Sequence, residues 1–226
     1  MPQPISNLPI GAKVKDTNTT YYGQPIILMV LDHNHPGYPE NSTTLLTEKI
    51  ITLKAFDAKE PSNPNTDRQN YGNNRYAHSN IRQWLNKDTS PWYAAQHGYD
   101  APPNNSNVWS NYNEYEAEAG FLSNFSAELK SKLLLTTLTV ARNTVTDGGG
   151  SETVQDKVFL LSETEVGLGN ENGIAEGTPF SFFISDAARQ AYPTAEAVSN
   201  SEYTNASLNA SQPWYWWLRT PHAGYA

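Results

Sequence analysis

The sequence predicts an α+β fold built from short helices, antiparallel strands and long loops. Strand-like apolar and β-branched runs alternate irregularly with short stretches of helical periodicity, unlike the regular strand–helix repeat of a parallel sheet. Asn occurs 23 times among 226 residues, with 15 Pro and 14 Gly, and these residues favour turns. The 13 Tyr, 7 Phe and 6 Trp are enough to fill a core. Because there is no internal repeat and no long linker, we expect residues 1–226 to form one domain.

Three strands are predicted in the first fifty residues. Residues 5–11 are typical of a short strand that ends in a turn, and residues 42–47 are rich in Thr and Leu. Residues 26–31 form a continuous apolar run, which suits a strand buried on both faces. Residues 32–39 and 59–74 are predicted loops because they contain Pro, Gly and Asn, and the second is expected to be exposed.

Two helices are predicted from capping residues and apolar periodicity. Ser79 is suited to cap the first helix, whose apolar residues follow at the spacing i, i+3, i+4. Ser126 is suited to cap a second helix over residues 127–135. The apolar stripe of the first helix consists of Ile81, Trp84 and Leu85.

The C-terminal half is predicted to mix strands with short helical turns. Ser162 and Glu165 have the spacing of a capping box and predict a short helix, and residues 185–191 are a second helical candidate. The glycine run within residues 147–151 predicts a turn or a flexible loop. Strands are predicted at residues 136–146, 158–161 and 214–218.

Composition and motifs exclude several functional classes. A net charge of −8 argues against a general basic surface for nucleic acid, and no apolar run reaches the length of a membrane span. The chain has no cysteine, so disulfides and thiol chemistry are excluded. No glycine-flanked serine, zinc-protease or dinucleotide-binding motif is present, so we predict no enzyme, no catalytic residue and no cofactor.

Two segments contain residues that bind metals in other proteins. Asp32, His33 and His35 offer two histidines on one strand face, but no third histidine or carboxylate follows at a recognisable spacing. Residues 170–176 combine Asn and Glu but lack the spacing of a calcium loop. We interpret the first segment as a solvent-exposed turn and the second as a chance likeness to a calcium loop, and predict no metal site.

Four phrases carry a resemblance to a known family. Residues 71–76 read YGNNRY and residues 79–86 read SNIRQWLN, while residues 159–167 read FLLSETEVG and residues 214–221 read WYWWLRTP. In this order they resemble the DUF6273 family of bacterial and phage proteins. Members of that family occur in prophages of gut Firmicutes and in secreted surface proteins. The resemblance covers about residues 8 to 221 and implies no assigned activity.

The order of these elements also resembles sulfatase-modifying-factor domains. This distant likeness implies a C-type-lectin-like fold, which also displays the variable surface of certain phage tail proteins. Formylglycine chemistry in that group depends on cysteine, and this chain has none. Related chains continue past the WLRTP strand into a closing segment, so we expect a closing segment to be missing after Ala226.

Aromatic residues in two segments are the candidates for ligand binding. In a strand over residues 214–218, the side chains of Tyr215, Trp217 and Arg219 share one face. On this face the two rings would stack on a sugar, and the arginine would form hydrogen bonds with its hydroxyl groups. The segment around Trp109 combines Trp, Tyr, Ser and Asn, as adaptable recognition loops do. The alternative is that the aromatic residues pack in the core and that the motif arginines pair with Glu165 or Asp57. The predicted ligand-binding residues are Trp109, Asn111, Tyr112, Tyr115, Tyr215, Trp217 and Arg219.

These observations together predict a non-enzymatic binding or display module of a phage or prophage particle. Its location would be the tail or the virion surface, and its partners a host-surface glycan or protein, other virion proteins and further copies of itself. Two alternatives stay open. The chain would otherwise be a purely structural virion assembly protein, or an adhesin on a bacterial cell surface.

Overall fold

The computed structural model describes residues 3–224 and confirms an α+β fold with short helices and antiparallel sheets. The C-type-lectin-like arrangement stays a prediction. The strands described are β1 (Lys13–Tyr21), β2 (Gln24–His33), β3 (Thr43–Thr47), β4 (Thr136–Ala141) and β5 (Ser151–Asp156). The α-helices described are α1 (Thr66–Tyr71), α2 (Asn80–Leu85), α3 (Ala127–Lys132) and α4 (Ala195–Ser199).

The strands β1, β2 and β3 form one antiparallel sheet in chain order. Tyr22 and Gly23 connect β1 to β2 with φ values of 48° and 75°, which suits a two-residue hairpin. The strand predicted at residues 26–31 is confirmed as the centre of β2, where Ile26, Val30 and Leu31 are buried. Its predicted burial on both faces is wrong, because Ile27 is 41% exposed. The sheet therefore packs part of its central strand in the protein interior.

The strands β4 and β5 form a separate antiparallel pair, from Thr136 opposite Asp156 to Ala141 opposite Ser151. The strand predicted at residues 136–146 begins correctly but ends at Ala141, before the predicted glycine turn. The strand β5 was not predicted because its sequence, SETVQD, is mostly polar. The strand predicted at residues 158–161 is wrong, since in the described chain these residues join no strand pair.

Serine caps begin the two predicted helices. The Ser79 side chain accepts a hydrogen bond from the backbone N–H of Arg82, and α2 buries Ile81, Trp84 and Leu85 as predicted. The Ser126 side chain accepts from the backbone N–H of Leu129 and begins α3. This helix ends at Lys132, three residues before the predicted end, because β4 begins at Thr136.

Other local predictions were wrong in instructive ways. Residues 5–11 were expected to be a strand, but they contain the 3-10 helix Ile5–Asn7. Residues 59–74 were expected to be an exposed loop, yet they contain α1 and the buried side chains of Glu60 and Asn73. Residues 185–191 contain only the 3-10 helix Ala187–Arg189.

The capping box at Ser162 forms without a helix after it. Its two reciprocal bonds join the Ser162 backbone N–H to Glu165 and the Glu165 backbone N–H to the Ser162 hydroxyl. Residues 163–167 are nevertheless a turn. The turn leads into a buried network around Glu165, and tertiary contacts there replace the predicted helix.

The core consists of three clusters of buried side chains. The first is aromatic and includes Trp84, Trp92 and Phe121; the second is built around Leu31, and the third around Tyr76. Partly buried residues pack against two clusters at once, so the clusters are in contact with one another. These shared residues are Tyr38, Phe56, Phe159 and Leu160. No helix within residues 3–224 is both long and apolar enough to span a membrane.

Candidate functional site: an aromatic surface

The two segments predicted to bind ligand, around Tyr112 and around Tyr215, are connected by a third segment that contains Tyr203. Ring centroids lie 6.0 Å apart for Tyr112 and Tyr203, 6.0 Å for Tyr203 and Trp214, and 5.6 Å for Trp214 and Tyr215. These distances fall in the range of interacting aromatic pairs. We call this row of four rings the aromatic surface. The sequence interpretation missed Tyr203, which joins the other two segments.

Exposure differs along the aromatic surface. The Tyr215 side chain is 86% exposed, whereas Tyr112, Tyr203 and Trp214 are half-buried. The row therefore has one ring that is open to solvent and three rings that are partly covered by the protein. Exposed aromatic rings that are fixed in place offer contact area at low conformational cost.

The segment that carries Tyr112 has an unusual backbone. Ser110, Asn111 and Asn113 have φ values of 54°, 60° and 58°, in the left-handed region that most side chains avoid. Each such residue costs of order 1–3 kcal/mol, less for Asn, and persists only where surrounding contacts impose it. Backbone strain of this kind is concentrated in ligand-binding and switch regions.

Hydrogen bonds fasten this strained segment to the segment that carries Tyr203. The Asn113 backbone N–H donates to the Glu202 carboxylate at 2.7 Å, and the Glu202 backbone N–H donates to the Asn113 side-chain oxygen at 2.9 Å. The Asn113 amide group also donates to the Ser201 hydroxyl at 3.2 Å. The contact between Tyr112 and Tyr203 is therefore held by three bonds and not by ring packing alone.

Residues 214–218 alternate in burial, although only Trp214 forms a β-bridge there. The Trp214 backbone N–H donates to the Ala191 carbonyl at 2.9 Å, and the Trp216 ring N–H donates to the Arg189 carbonyl at 3.0 Å. Trp216 packs into the second core cluster, so the residues on either side of it, Tyr215 and Trp217, project outward.

Three other predicted ligand residues are also exposed. Trp109 is 51% exposed and Trp217 is 52% exposed, and Asn111 is exposed as well. The Trp217 ring N–H donates to the Lys54 carbonyl at 2.9 Å, and its ring lies 5.7 Å from Phe56. Trp217 is therefore anchored along one edge and open to solvent elsewhere.

The structure corrects the placement of Tyr115, which is only 1% exposed. Its ring stacks on Trp92 at 5.4 Å, and its hydroxyl donates to the Ala55 carbonyl at 2.9 Å. Burial raises the pKa of Tyr115 well above its ordinary value. The side chain belongs to the first core cluster and presents no surface to a ligand.

Arg219 is corrected in the same way. It is 1% exposed, and its two terminal nitrogens each lie 2.7 Å from a carboxylate oxygen of Glu165, which is fully buried. The alternative interpretation, that Arg219 pairs internally with Glu165, is thus the observed one. The backbone turns inward after Leu218, because the Arg219 N–H donates to the Leu161 carbonyl at 2.9 Å.

The other two motif arginines also form ion pairs. Arg75 binds Glu152 through two nitrogens, with its Nε 2.6 Å from the carboxylate, and Arg82 lies 2.9 Å from Asp156. The Arg75 guanidinium lowers the pKa of Glu152, and partial burial opposes this effect. These pairs connect the YGNNRY and SNIRQWLN phrases to β5, which accounts for the arginines structurally.

The two histidines of the first predicted turn are occupied by protein partners. The His33 ring nitrogens lie 2.9 Å from the Thr43 hydroxyl and 2.8 Å from the Leu8 carbonyl. His35 was expected in an exposed turn but is 2% exposed, stacks on Phe180 at 3.7 Å and pairs with Asp32 at 2.8 Å. This arrangement gives both histidines a structural role.

The segment 170–176 likewise forms hydrogen bonds within the protein. Glu176 is fully buried and accepts from the Ala141 backbone N–H at 2.8 Å and from the Asn170 amide at 2.9 Å. It also accepts from the Thr220 hydroxyl. Burial raises the pKa of Glu176, whereas the Thr220 and Ala141 bonds lower it.

A third cluster, which the sequence did not indicate, has the donor atoms of a metal site. Asp57, Glu60 and His97 each place one ligand atom within 4.8 Å of the other two. Burial raises the pKa of Asp57 well above its ordinary value, against the opposing effect of the backbone N–H groups of Asn73 and Asn80. The cluster lies beneath the YGNNRY phrase and is considered separately below.

These features define an α+β protein of short elements whose irregular loops present aromatic rings. The chain belongs to the DUF6273 family. The model of that family, described as a domain of unknown function, matches residues 41–226. The matched range includes the aromatic surface and the Asp57 cluster. No curated protein and no solved structure matches the chain.

Proposed function

We propose that this protein is a non-enzymatic binding module that recognises a host-surface glycan or protein through the aromatic surface. The observation that carries this proposal is the row of Tyr112, Tyr203, Trp214 and Tyr215, which combines exposure with fixed geometry. Its place would be the tail or surface of a phage or prophage particle. The C-type-lectin-like fold belongs to the same proposal.

The chemistry of the surface suits a sugar. The faces of aromatic rings pack against the apolar C–H face of a pyranose, while Tyr hydroxyls and Trp N–H groups offer hydrogen bonds at the ring edges. The exposed amide of Asn111 is a further donor and acceptor for hydroxyl groups. The same mixture of Tyr, Trp, Asn and Ser also serves protein recognition.

Preorganisation supports binding at this surface. The three bonds between Asn113 and residues 201 and 202 hold the loop before any ligand arrives. A loop that is already ordered avoids the entropy cost of ordering on binding, about 0.5–1.5 kcal/mol for each immobilised side chain. A shallow surface still binds a single sugar weakly, so several copies on one particle would supply the affinity.

The first test measures binding of the purified protein to a glycan array and to isolated host cell envelopes. We compare the unaltered chain with Tyr215→Ala, which removes the most exposed ring of the surface. Tyr71→Ala is the matched control, because Tyr71 is 60% exposed and lies in α1. We expect at least a tenfold loss of binding for Tyr215→Ala and no loss for Tyr71→Ala.

Equal losses in the two variants, or no envelope binding by the unaltered chain, would contradict the proposal. A second test addresses the virion. Electron microscopy of particles labelled with an antibody to this chain should show it at the tail or surface, and free protein should inhibit adsorption. Labelling confined to the interior of disrupted particles would refute the assignment to a binding module.

A further inference from the structure

Asp57, Glu60 and His97 form a compact cluster that plays no part in the aromatic surface. Asp57 and Glu60 lie in the segment that precedes α1, and His97 lies in the loop that follows α2. Asp57 is 3% exposed and Glu60 is fully buried, whereas the His97 side chain is 18% exposed. The imidazole therefore stands between two interior carboxylates and the solvent.

The Asn73 side-chain nitrogen lies at the centre of the cluster. It is 2.5 Å from Asp57 Oδ2, 3.2 Å from Glu60 Oε1 and 3.3 Å from His97 Nε2. The two carboxylate oxygens accept hydrogen bonds from this amide, whereas the role of His97 Nε2 depends on its tautomer. The point that this nitrogen occupies is shared by all three ligand atoms, as the position of a bound cation would be.

The carboxylates also lack a cationic partner. Among residues 3–224, neither Asp57 nor Glu60 forms an ion pair with a lysine or an arginine, and the nearest basic group is His97, 3.4 Å from Glu60. Interior carboxylates are normally paired or coordinate metals, because an isolated buried charge is costly. In the same protein, the buried carboxylates of Glu165 and Asp156 pair with arginines, whereas the buried Glu176 carboxylate accepts hydrogen bonds from neutral groups.

The ligand groups are held in place by a surrounding layer of asparagines. The Asn80 backbone N–H donates to Asp57 Oδ1 at 2.9 Å, and the Asn73 backbone N–H donates to Asp57 Oδ2 at 3.0 Å. The Asn63 amide donates to Glu60. Bonds of this kind orient metal ligands and tune their affinity.

We propose that Asp57, Glu60 and His97 bind one divalent transition-metal ion of the Zn²⁺ or Mn²⁺ type. The ion would take the place of the Asn73 amide nitrogen as the shared partner of the three ligands. The imidazole nitrogen favours Zn²⁺ and the two carboxylates also suit Mn²⁺, whereas Ca²⁺ prefers a shell made only of oxygen atoms. Two carboxylates and one imidazole leave a fourth position for water. The metal would tie the loop containing His97 to the segment before α1.

The test uses the full chain, stripped with a chelator and then equilibrated separately with ZnCl₂, MnCl₂ and CaCl₂. After gel filtration, elemental analysis gives the bound metal per chain, and titration with Co²⁺ reports imidazole ligation through its visible spectrum. We expect one equivalent of Zn²⁺ or Mn²⁺, weaker retention of Ca²⁺, and a higher unfolding temperature with the retained ion.

The key variant is His97→Ala, which should reduce metal affinity at least tenfold while leaving the near-ultraviolet circular dichroism unchanged, because His97 is partly exposed. The control is His222→Ala, since the His222 side chain is 59% exposed and its Nδ1 lies 3.4 Å from Glu171, which is not one of the three ligands. Failure of the unaltered chain to retain Zn²⁺ or Mn²⁺ would overturn the proposal. Equal effects of the two substitutions would mean adventitious surface binding and would also overturn it.

Discussion

Replacing Arg219 by methionine should cost this protein a large part of its stability. Arg219 donates to both carboxylate oxygens of Glu165 at 2.7 Å, and to the carbonyls of Leu160 and Glu176 at 2.9 Å. The substitution leaves Glu165 charged and fully buried, with the Tyr38 hydroxyl and one backbone N–H as its remaining donors. Four hydrogen bonds are lost, and three acceptor groups lose a partner.

The structure allows the magnitude to be worked out. Removing one partner of a buried ion pair costs about 3–5 kcal/mol, because the other charge stays buried. The Leu160 carbonyl, which loses its described donor, adds about 1–3 kcal/mol where water cannot reach it, whereas the Glu176 carbonyl still accepts from the Ser162 hydroxyl at 2.7 Å. Because partial relaxation reduces the sum, we expect a loss of about 4–6 kcal/mol. The whole stability of a typical domain is about 5–15 kcal/mol, so the variant should be close to unfolding.

Urea unfolding followed by tryptophan fluorescence measures this loss. The double variant Arg219→Met with Glu165→Met is the decisive comparison, since it removes the stranded charge together with the arginine. Replacing both partners of a buried pair by apolar groups is often nearly neutral. We therefore expect the double variant to be at least about 2 kcal/mol more stable than Arg219→Met alone. A loss below about 1.5 kcal/mol for Arg219→Met, or strictly additive losses, would refute this reasoning.

Three further predictions follow from local geometry. Gly72→Ala should destabilise the fold by at least about 1–3 kcal/mol in urea unfolding, because Gly72 has φ 79° and an added Cβ would lie 2.3 Å from a backbone carbonyl oxygen. Trp84→Ala should cost about 3–5 kcal/mol, whereas Tyr215→Ala should change stability by less than about 0.5 kcal/mol, since Trp84 is 1% and Tyr215 86% exposed. Glu152→Gln should lower stability at neutral pH but not in acid. The folded pKa of Glu152 is lowered by Arg75, so its contribution is present above the unfolded pKa and is lost as pH falls through the folded pKa.

The elements that the sequence predicted correctly are those with local signals. The helices α2 and α3 follow serine caps, and β2 contains a continuous apolar run, which is typical of a strand. The strand β5 has no such signal, because one of its two buried residues is Asp156, which pairs with Arg82. A buried charge of this kind depends on a partner from a distant segment, and such partners cannot be found from spacing.

The candidate site shows the same division. Residue type indicated which aromatic residues to consider, and Tyr112, Tyr215 and Trp217 lie at least partly at the surface. Strand alternation placed Arg219 with Tyr215, but the backbone leaves that alternation where Arg219 binds Leu161. Tyr203 lies in a Ser- and Asn-rich segment for which no element was predicted, and only the tertiary contacts reveal its role.

The proposed metal ligands could not be found from the sequence for a related reason. Asp57 and Glu60 have a common spacing of acids, and nothing near them in the chain indicates a third ligand. His97 is contributed by a loop beyond α2. Asn73, which contacts all three ligands, belongs to the YGNNRY phrase. Folding of the chain brings these residues together, although neither of their segments has a sequence pattern that indicates a metal site.

The alternating burial of residues 214–218 determines which of these positions tolerate substitution. Trp216 and Leu218 are committed to the second core cluster, but Tyr215 makes its described ring contact only with its neighbour Trp214. Position 215 can therefore accept many side chains while the positions beside it keep the backbone in place. A library randomised at 215 would alter the exposed part of the aromatic surface and leave the folding of the chain intact. Positions 110 and 111 accept fewer side chains, because their backbone lies in the left-handed region. Position 215 is therefore where the side chain on the aromatic surface can be varied at the lowest cost in stability.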